Sequence, residues 1–121
     1  MPALPPFTIA QEGTISVVRF SIPTLADSGM LRELSLALTT RVRADDFRGL
    51  VLDMEGVKFI VSAFLNVLLT VDREMRAECK PIRVCCPNAS VRETFELTRL
   101  HNKFPLFADL SGALAAFPES T

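Results

Sequence analysis

The opening residues contain two stretches that are typical of short β-strands. Phe7–Ala10 and Thr14–Phe20 are rich in β-branched and aromatic residues, and the second stretch is the stronger signal. Between them, Gln11-Glu12-Gly13 supplies a glycine that accepts the positive φ of a tight turn. The pattern therefore predicts a hairpin whose second strand ends by Pro23.

A helical stripe of apolar residues follows the predicted hairpin. The apolar side chains that recur at helical spacing are Met30, Leu31, Leu34, Leu38 and Val42. Asp27 and Ser28 are residue types that cap helix N-termini, and they stand at the start of this stretch. The sequence predicts one helix over about Ala26–Val42.

Continuous apolar runs then alternate with further helical stretches. Gly49–Asp53 and Ile82–Cys86 have the composition of buried central strands. Lys80-Pro81 ends the helix between them, because proline lacks an N–H and restricts its predecessor. We expect helices over about 62–78, 90–97 and 109–117, a turn at Pro87-Asn88 and a last short strand at Phe104–Phe107.

The resulting order of elements, β-β-α-β-α-β-α-β-α, predicts an α/β fold. Strands that alternate with helices after an opening hairpin indicate a mixed, mostly parallel β-sheet, here of 4-5 strands with about four helices. The chain has 121 residues, the length of one ordinary domain. We therefore expect a single domain over residues 1–121, with its core at about 7–117.

Composition and charge exclude several classes of function. The formal net charge is −1 and no basic stripe is visible, which argues against nucleic acid as a partner. The longest apolar-rich stretch, Phe59–Val71, is interrupted by Ser62 and Asn66 and is too short to cross a bilayer. Because the first residues do not resemble a signal peptide either, we expect a cytoplasmic protein with no membrane contact.

The ionisable and nucleophilic residues give little support for catalysis. Cys79, Cys85 and Cys86 have no metal-ligand spacing, so we expect reduced thiols in the core and neither a metal nor a cofactor. Cys85 and Cys86 are adjacent in a strand and should face opposite sides. His101 lies in a polar stretch and is expected on the surface. An enzyme of unrecognised type is the least favoured hypothesis, because no nucleophile–base pattern occurs.

The start of the second predicted helix is the most informative segment. Ser62 stands where a strand and a short connection lead into the helix. One interpretation is a simple N-cap, in which the hydroxyl accepts from a free backbone N–H. The other is a phosphate site, because free N–H groups and the positive end of the helix dipole favour an anion there.

The same helix carries two apolar rows. One consists of Leu65, Leu68 and Leu69, and the other of Phe64, Val67, Val71 and Met75. Together they cover more of the circumference than a one-sided surface helix needs. Either the helix is deeply buried, or Phe64, Val67 and Val71 leave an exposed patch for a partner or a second copy.

Three segments resemble a known family. Residues 50–69, then 81–84, then 96–114 with Glu-Leu-Thr-Arg-Leu and Phe-Pro-Leu-Phe, look like the STAS domain. This domain is shared by sulfate transporters and bacterial anti-sigma factor antagonists. The resemblance covers about residues 7–117 and is strongest after position 49. It implies a STAS-like fold and a non-enzymatic role in protein interaction and transcription regulation.

In stand-alone bacterial members, a serine kinase that is also the anti-sigma factor phosphorylates a serine in an Asp-Ser-Ser-Gly-type motif. By position, the resemblance makes Ser62 the phosphoacceptor, with Val61 at the Asp, Ala63 at the second small residue and Phe64 at the Gly. It implies a partner-binding surface made of Val61, Ser62, Ala63, Phe64, Val67, Thr24, Asp53 and Asn88. Partner switching through phosphorylation is therefore the leading hypothesis. The alternative is a constitutive scaffold or homodimer with Phe64 in the interface.

Overall fold

A computed structural model describes residues 6–86 and 88–115. The strands are Phe7–Glu12 (β1), Ile15–Phe20 (β2), Thr24–Leu25 (β3), Gly49–Asp53 (β4), Phe59–Ile60 (β5), Ile82–Cys85 (β6) and Leu106–Phe107 (β7). The α-helices are Ser28–Arg41 (α1), Ser62–Ala77 (α2), Ala89–Leu97 (α3) and Leu110–Ala115 (α4), and Leu100–Asn102 forms a 3₁₀ turn.

Five strands form the main sheet, in the order β1-β2-β4-β6-β7. The β1–β2 pair is antiparallel, and every other neighbouring pair in this sheet is parallel. The short strands β3 and β5 form a separate parallel pair. The expected mixed, mostly parallel sheet with about four helices is confirmed.

The opening hairpin turns where glycine was expected to allow it. Gly13 has φ +66°, in the left-handed region that favours glycine. The register runs without interruption from Phe7 opposite Phe20 to Glu12 opposite Ile15. The hairpin therefore forms without a bulge.

Side-chain hydrogen bonds are made at both ends of helix α1. The Asp27 carboxylate accepts hydrogen bonds from the N–H groups of Gly29 and Met30 at 2.8 and 3.1 Å, so Asp27 is the N-cap. Just beyond the other end, the Lys80 ammonium donates to the carbonyls of Val42 and Ala44. Lys80 thus ties the segment that follows α2 to the end of α1.

Helix α2 ends before Pro81 would force it to end. Cys79 adopts φ +57°, and the N–H groups of Cys79 and Lys80 donate to the carbonyls of Arg76 and Met75. This is a Schellman arrangement, in which the left-handed residue is usually glycine. The helix therefore ends at Ala77 because of its own capping motif, four residues before Pro81.

The two sides of the main sheet are covered unequally. The larger core lies on the side of α1, α2 and α3, and its largest fully buried side chains include Phe47, Phe64, Phe95 and Phe104. The smaller cluster lies on the side of α4 and contains Val17, Val51, Cys85 and Ala113. All five residues of β4 are buried, as expected for a central strand.

The predicted order lacks the two short strands β3 and β5 and the 3₁₀ turn, and the other differences are at the ends of elements. The last strand covers only Leu106–Phe107, and Phe104 is a buried core residue ahead of it. Pro87 of the predicted turn, and residues 116–117 of the predicted last helix, lie outside the described residues. In the described part of the chain, every helix is too short or too polar to cross a membrane.

Candidate functional site

The mouth of α2 is built differently from a helix start with a serine cap. Val61 is the N-cap residue, with extended backbone at φ −104° and ψ 165°, and its side chain makes no capping hydrogen bond. The Val61 carbonyl accepts from the N–H of Phe64 at 3.0 Å, so the first turn closes from Val61. The expectation that Ser62 is the N-cap is wrong, because Ser62 is already the first helical residue.

This placement leaves the Ser62 hydroxyl open to solvent. Ser62 and Ala63 are exposed and Val61 is half-buried. Among the described residues, the Ser62 side chain has no hydrogen-bond partner. The first turn of α2 contains no acidic residue, so no side-chain carboxylate there competes for its free N–H groups. A negatively charged group on Ser62 would meet backbone donors and no repelling carboxylate in that turn.

The predicted apolar patch on α2 does not exist. Phe64 and Val71 are both 0% exposed, and Val67 is half-buried. The Phe64 ring packs edge-to-face against Phe20, with ring centroids 5.9 Å apart. The expectation of an exposed patch made by Phe64, Val67 and Val71 is wrong, and so is Phe64 as a partner contact. The alternative of deep burial is confirmed, because α2 packs against both the sheet and α1.

Two other apolar side chains are exposed beside the mouth of α2. Phe59 on β5 is 58% exposed and Leu97 at the end of α3 is 76% exposed. Both line a shallow groove of about 250 Å³ between β5 and α3, together with Lys58, Ile60, Ser90, Val91, Glu93 and Thr94. Phe59 precedes Ser62 by three residues, so the groove and the free hydroxyl lie within one short segment.

Neither Phe59 nor Leu97 is among the predicted contact residues, although the sequence contains a signal for each. Phe59 alternates with Ile60, and neighbouring strand residues point to opposite sides, so only one of them faces the core. Leu97 follows the buried Phe95 by two residues, which turns it roughly 200° around the helix from the core face. The signals are weak because each rests on a single residue.

The remaining predicted contact residues outside α2 have different surroundings. Thr24 is exposed and pairs with Phe59 across the β3–β5 ladder, so it borders the groove. Asn88 is half-buried and its side-chain oxygen accepts from the N–H of Val91 at 3.1 Å, which caps α3. Thr24 therefore lies beside a residue of the groove, and Asn88 caps the helix whose first turn supplies Ser90 and Val91 to the groove.

Asp53 faces the α4 side of the main sheet. It is the last residue of β4 and is buried on the α4 side of the sheet, two positions after Val51. Its carboxylate accepts from the Arg19 guanidinium at 3.3 Å and from the N–H of Glu55 at 3.2 Å. Its expected role in partner contact stays a prediction. Asp53 holds its own turn and lines an open cleft of about 680 Å³ with Arg19, Glu55 and Leu110.

The three thiols differ in exposure. Cys85 and Cys86 are buried and belong to opposite sides of the sheet, as expected, with Cys85 on the α4 side and Cys86 in the larger core. Burial, with the nearby Asp53 carboxylate, raises the pKa of Cys85 to about 12, and burial also raises the pKa of Cys86. Cys79 is exposed, so the expectation that every thiol lies in the core is wrong for this residue.

His101 lies on the surface, as expected. It is part of the short 3₁₀ turn, and its Nδ1 is 3.4 Å from the carbonyl oxygen of Phe95. An open cleft of about 450 Å³ beside it is lined by Arg92, Glu96, Leu106 and Ala108. The described residues contain no group of three or more His, Cys, Asp or Glu side chains arranged to hold a metal ion.

Comparisons with known proteins agree with the fold. The family model of the STAS domain matches residues 8–113. An anti-sigma-factor antagonist (STAS) domain protein from Planctomyces limnophilus is 18% identical with a TM-score of 0.81, over 94% of this chain and 98% of that one. An anti-sigma factor antagonist from Mycobacterium paratuberculosis is 28% identical with a TM-score of 0.72, over 91% of each chain.

A third similar structure is that of a modified protein. It is the Bacillus cell fate determinant SpoIIAA in its phosphorylated form, 17% identical with a TM-score of 0.72, over 90% of this chain and 96% of that one. No curated protein matches the chain in sequence. The similar structures confirm the expected STAS-like α/β fold.

Proposed function

Because the chain belongs to the STAS domain family, we propose that it is an anti-sigma factor antagonist whose binding to its partner is controlled by phosphorylation of Ser62. The observation that carries this proposal is the free Ser62 hydroxyl, three residues after the exposed Phe59 ring that lines the groove. The groove, with Phe59 and Leu97 at its surface, serves as the docking surface for the anti-sigma factor. The protein acts in the bacterial cytoplasm, where its partner is also the serine kinase.

The proposed switch is electrostatic. A phosphate on Ser62 adds about −1.5 to −2 charges at neutral pH. Free N–H groups and the positive end of the α2 dipole stabilise this charge in the unbound protein. In the complex, the same charge would be brought against the apolar contact around Phe59 and would lose its hydration. Phosphorylation therefore favours the free protein over the complex.

Two departures from the family motif are compatible with this role. Val61 stands where the family has Asp, and it provides the extended N-cap backbone without a side-chain bond. Phe64 stands where the family has Gly, but its ring points into the core against Phe20. A bulky residue at position 64 thus leaves the approach to Ser62 open. The phosphorylated form of the structurally similar Bacillus SpoIIAA also supports the proposal.

The modification is tested with a serine kinase of the anti-sigma factor type from the same genome, with ATP. Wild type, Ser62→Ala and the control Ser28→Ala are compared by intact mass. Ser28 is a suitable control because it is also an exposed serine at the first position of a helix, α1, and it does not line the groove. We expect one phosphate on wild type and on Ser28→Ala, and none on Ser62→Ala. Full phosphorylation of Ser62→Ala would contradict the assignment.

The docking surface is tested separately by calorimetric titration of the unphosphorylated protein with the anti-sigma factor. Phe59→Asp is compared with Leu36→Asp, because Leu36 on α1 is a similarly exposed apolar residue at 61%. We expect Phe59→Asp to weaken binding by about a hundredfold or more, as for a central interface residue worth about 3 kcal/mol, and Leu36→Asp to leave it unchanged. Equal affinities for the two variants would exclude the groove as the contact.

The alternative is a constitutive scaffold that is never phosphorylated. Phe59 and Leu97 would then still form the contact, and the Ser62 hydroxyl would only be solvated. The kinase experiment separates the two functions, since a scaffold binds its partner with the same affinity before and after incubation with kinase and ATP.

A further inference from the structure

Strand β1 forms the long free edge of the main sheet. In the described residues it pairs only with β2, and no other strand covers its outer side. The opposite edge strand, β7, has two residues, whereas β1 has six. A six-residue edge offers a row of backbone donors and acceptors to another strand.

The hairpin register shows which residues of β1 point their backbone outward. The N–H of Ser21 donates to the carbonyl of Pro6 at 3.0 Å, so Pro6 is bonded toward β2. Hydrogen-bonding positions alternate along an antiparallel strand, so Thr8, Ala10 and Glu12 are also bonded toward β2. The N–H and C=O groups of Phe7, Ile9 and Gln11 therefore point away from the sheet.

This edge lacks the features that usually prevent strands from pairing there. Residues 7–12 contain no proline, no lysine or arginine and no glycine, and Glu12 is the only charged residue among them. The register with β2 has no bulge that would twist the edge away. Phe7 and Ile9 are only partly buried, so apolar surface remains on the edge itself.

We infer that β1 pairs antiparallel with β1 of a second copy of this chain, around a two-fold axis at Ile9. In this register Ile9 lies opposite Ile9 of the second copy, and Phe7 of each copy lies opposite Gln11 of the other. All three outward-pointing residues of each strand then find a partner, which gives about six N–H···O bonds at two bonds per pair. A shift by two residues either way places one of the three opposite a position outside β1 and loses bonds.

Side chains and charge are compatible with the same register. The two Ile9 side chains meet, flanked by Phe7 from each copy, which covers the apolar surface that β1 leaves open. Each Glu12 lies at the opposite end of the paired strands from the other, so no like charges meet. A symmetric dimer is the expected form, because the same edge is used by both copies.

The dimer goes beyond the proposed function and is independent of it. The edge consists of residues 7–12, whereas the mouth of α2 and its groove involve residues 58–63 and 90–97. Pairing would join two five-stranded sheets into one of about ten strands, with one copy of the Ser62 surface on each half.

The inference is tested by sedimentation equilibrium across the micromolar range. Wild type is expected to be dimeric. Ile9→Lys and Ile9→Glu should each raise the dissociation constant of the dimer at least about tenfold, because two like charges then lie directly opposite each other. An equimolar mixture of the two variants should form a heterodimer as tight as wild type or tighter. Leu36→Lys, on the exposed side of α1, is the control and should dimerise like wild type.

A monomeric wild type, a dimer that is unaffected by Ile9→Lys, or a failure of the mixture to associate would overturn the inference. Ile9 also touches the core, so amide hydrogen exchange on wild type provides a second measurement. The N–H groups of Phe7, Ile9 and Gln11 should become more protected as the protein concentration rises, because a larger fraction of the chains is then dimeric. Exchange at these three amides that does not depend on concentration would also overturn it.

Discussion

The burial of Phe64 predicts that its removal destabilises the protein far more than removal of the exposed Phe59. We compare Phe64→Ala with Phe59→Ala, because the two rings are five residues apart and have opposite environments. Phe64 is 0% exposed and contacts Phe20, while Phe59 is 58% exposed. The chain has no Trp and no Tyr, so unfolding by urea is best followed by far-UV circular dichroism.

The expected magnitudes follow from these environments. Removing a fully buried Phe ring costs about 3–5 kcal/mol, and the edge-to-face contact with Phe20 places Phe64→Ala at about 4 kcal/mol. Phe59 keeps less than half of its surface from water, so Phe59→Ala should cost about 1 kcal/mol or less. The difference of about 3 kcal/mol is a large part of the stability of a domain of this size.

The result that would refute this reasoning is a small effect at position 64. If Phe64→Ala lowered the free energy of unfolding by about 1 kcal/mol or less, the ring would not be a core residue. A loss at Phe59→Ala equal to that at Phe64→Ala would mean that Phe59 is also packed, and the groove would then not be open to a partner.

Two further predictions concern the cysteines. Cys79→Gly should raise the free energy of unfolding by about 1 kcal/mol in the same urea experiment, because glycine adopts the left-handed conformation at φ +57° without the cost of a Cβ; an unchanged or lower stability would contradict the Schellman assignment. In native protein at pH 8, one thiol of three should react with a disulfide reagent, at Cys79, because the raised pKa values of Cys85 and Cys86 keep those thiols protonated and burial shields them; rapid reaction of two or more thiols would contradict it.

The fold could be predicted from the sequence because its signals are repeated over many residues. Met30, Leu31, Leu34 and Leu38 all mark the same face of α1, so one misassigned residue would not change the prediction. The continuous apolar run at Gly49–Asp53 likewise indicated a central strand. Periodicity of this kind identifies elements well and their ends less well.

The candidate site depends on single residues, and it was predicted less well. The position of Ser62 at the mouth of α2 follows from the strand-to-helix pattern, but whether it is the N-cap or the first helical residue depends on one φ/ψ pair at Val61. Phe64 and Val71 were candidates for an exposed patch because α2 has two rows of apolar residues. The sequence pattern alone does not distinguish a helix that is buried on two sides from one that leaves its second row exposed. Asp53 points to the α4 side because of strand alternation, as Val51 does, and the resemblance that made Asp53 a contact residue does not specify which side of the sheet it faces.

The unequal covering of the sheet means that its two layers should not come apart together. Among residues 6–86 and 88–115, three helices and a large apolar core hold the strands on one side, whereas on the other a helix of six described residues packs on a small cluster around Ala113. A layer with so few buried contacts opens at a lower free energy than global unfolding. Brief detachment of α4 would expose Val51 and Cys85 while the other helices stay packed on the sheet. Of the two buried thiols, Cys85 should therefore become accessible to oxidants before Cys86 does.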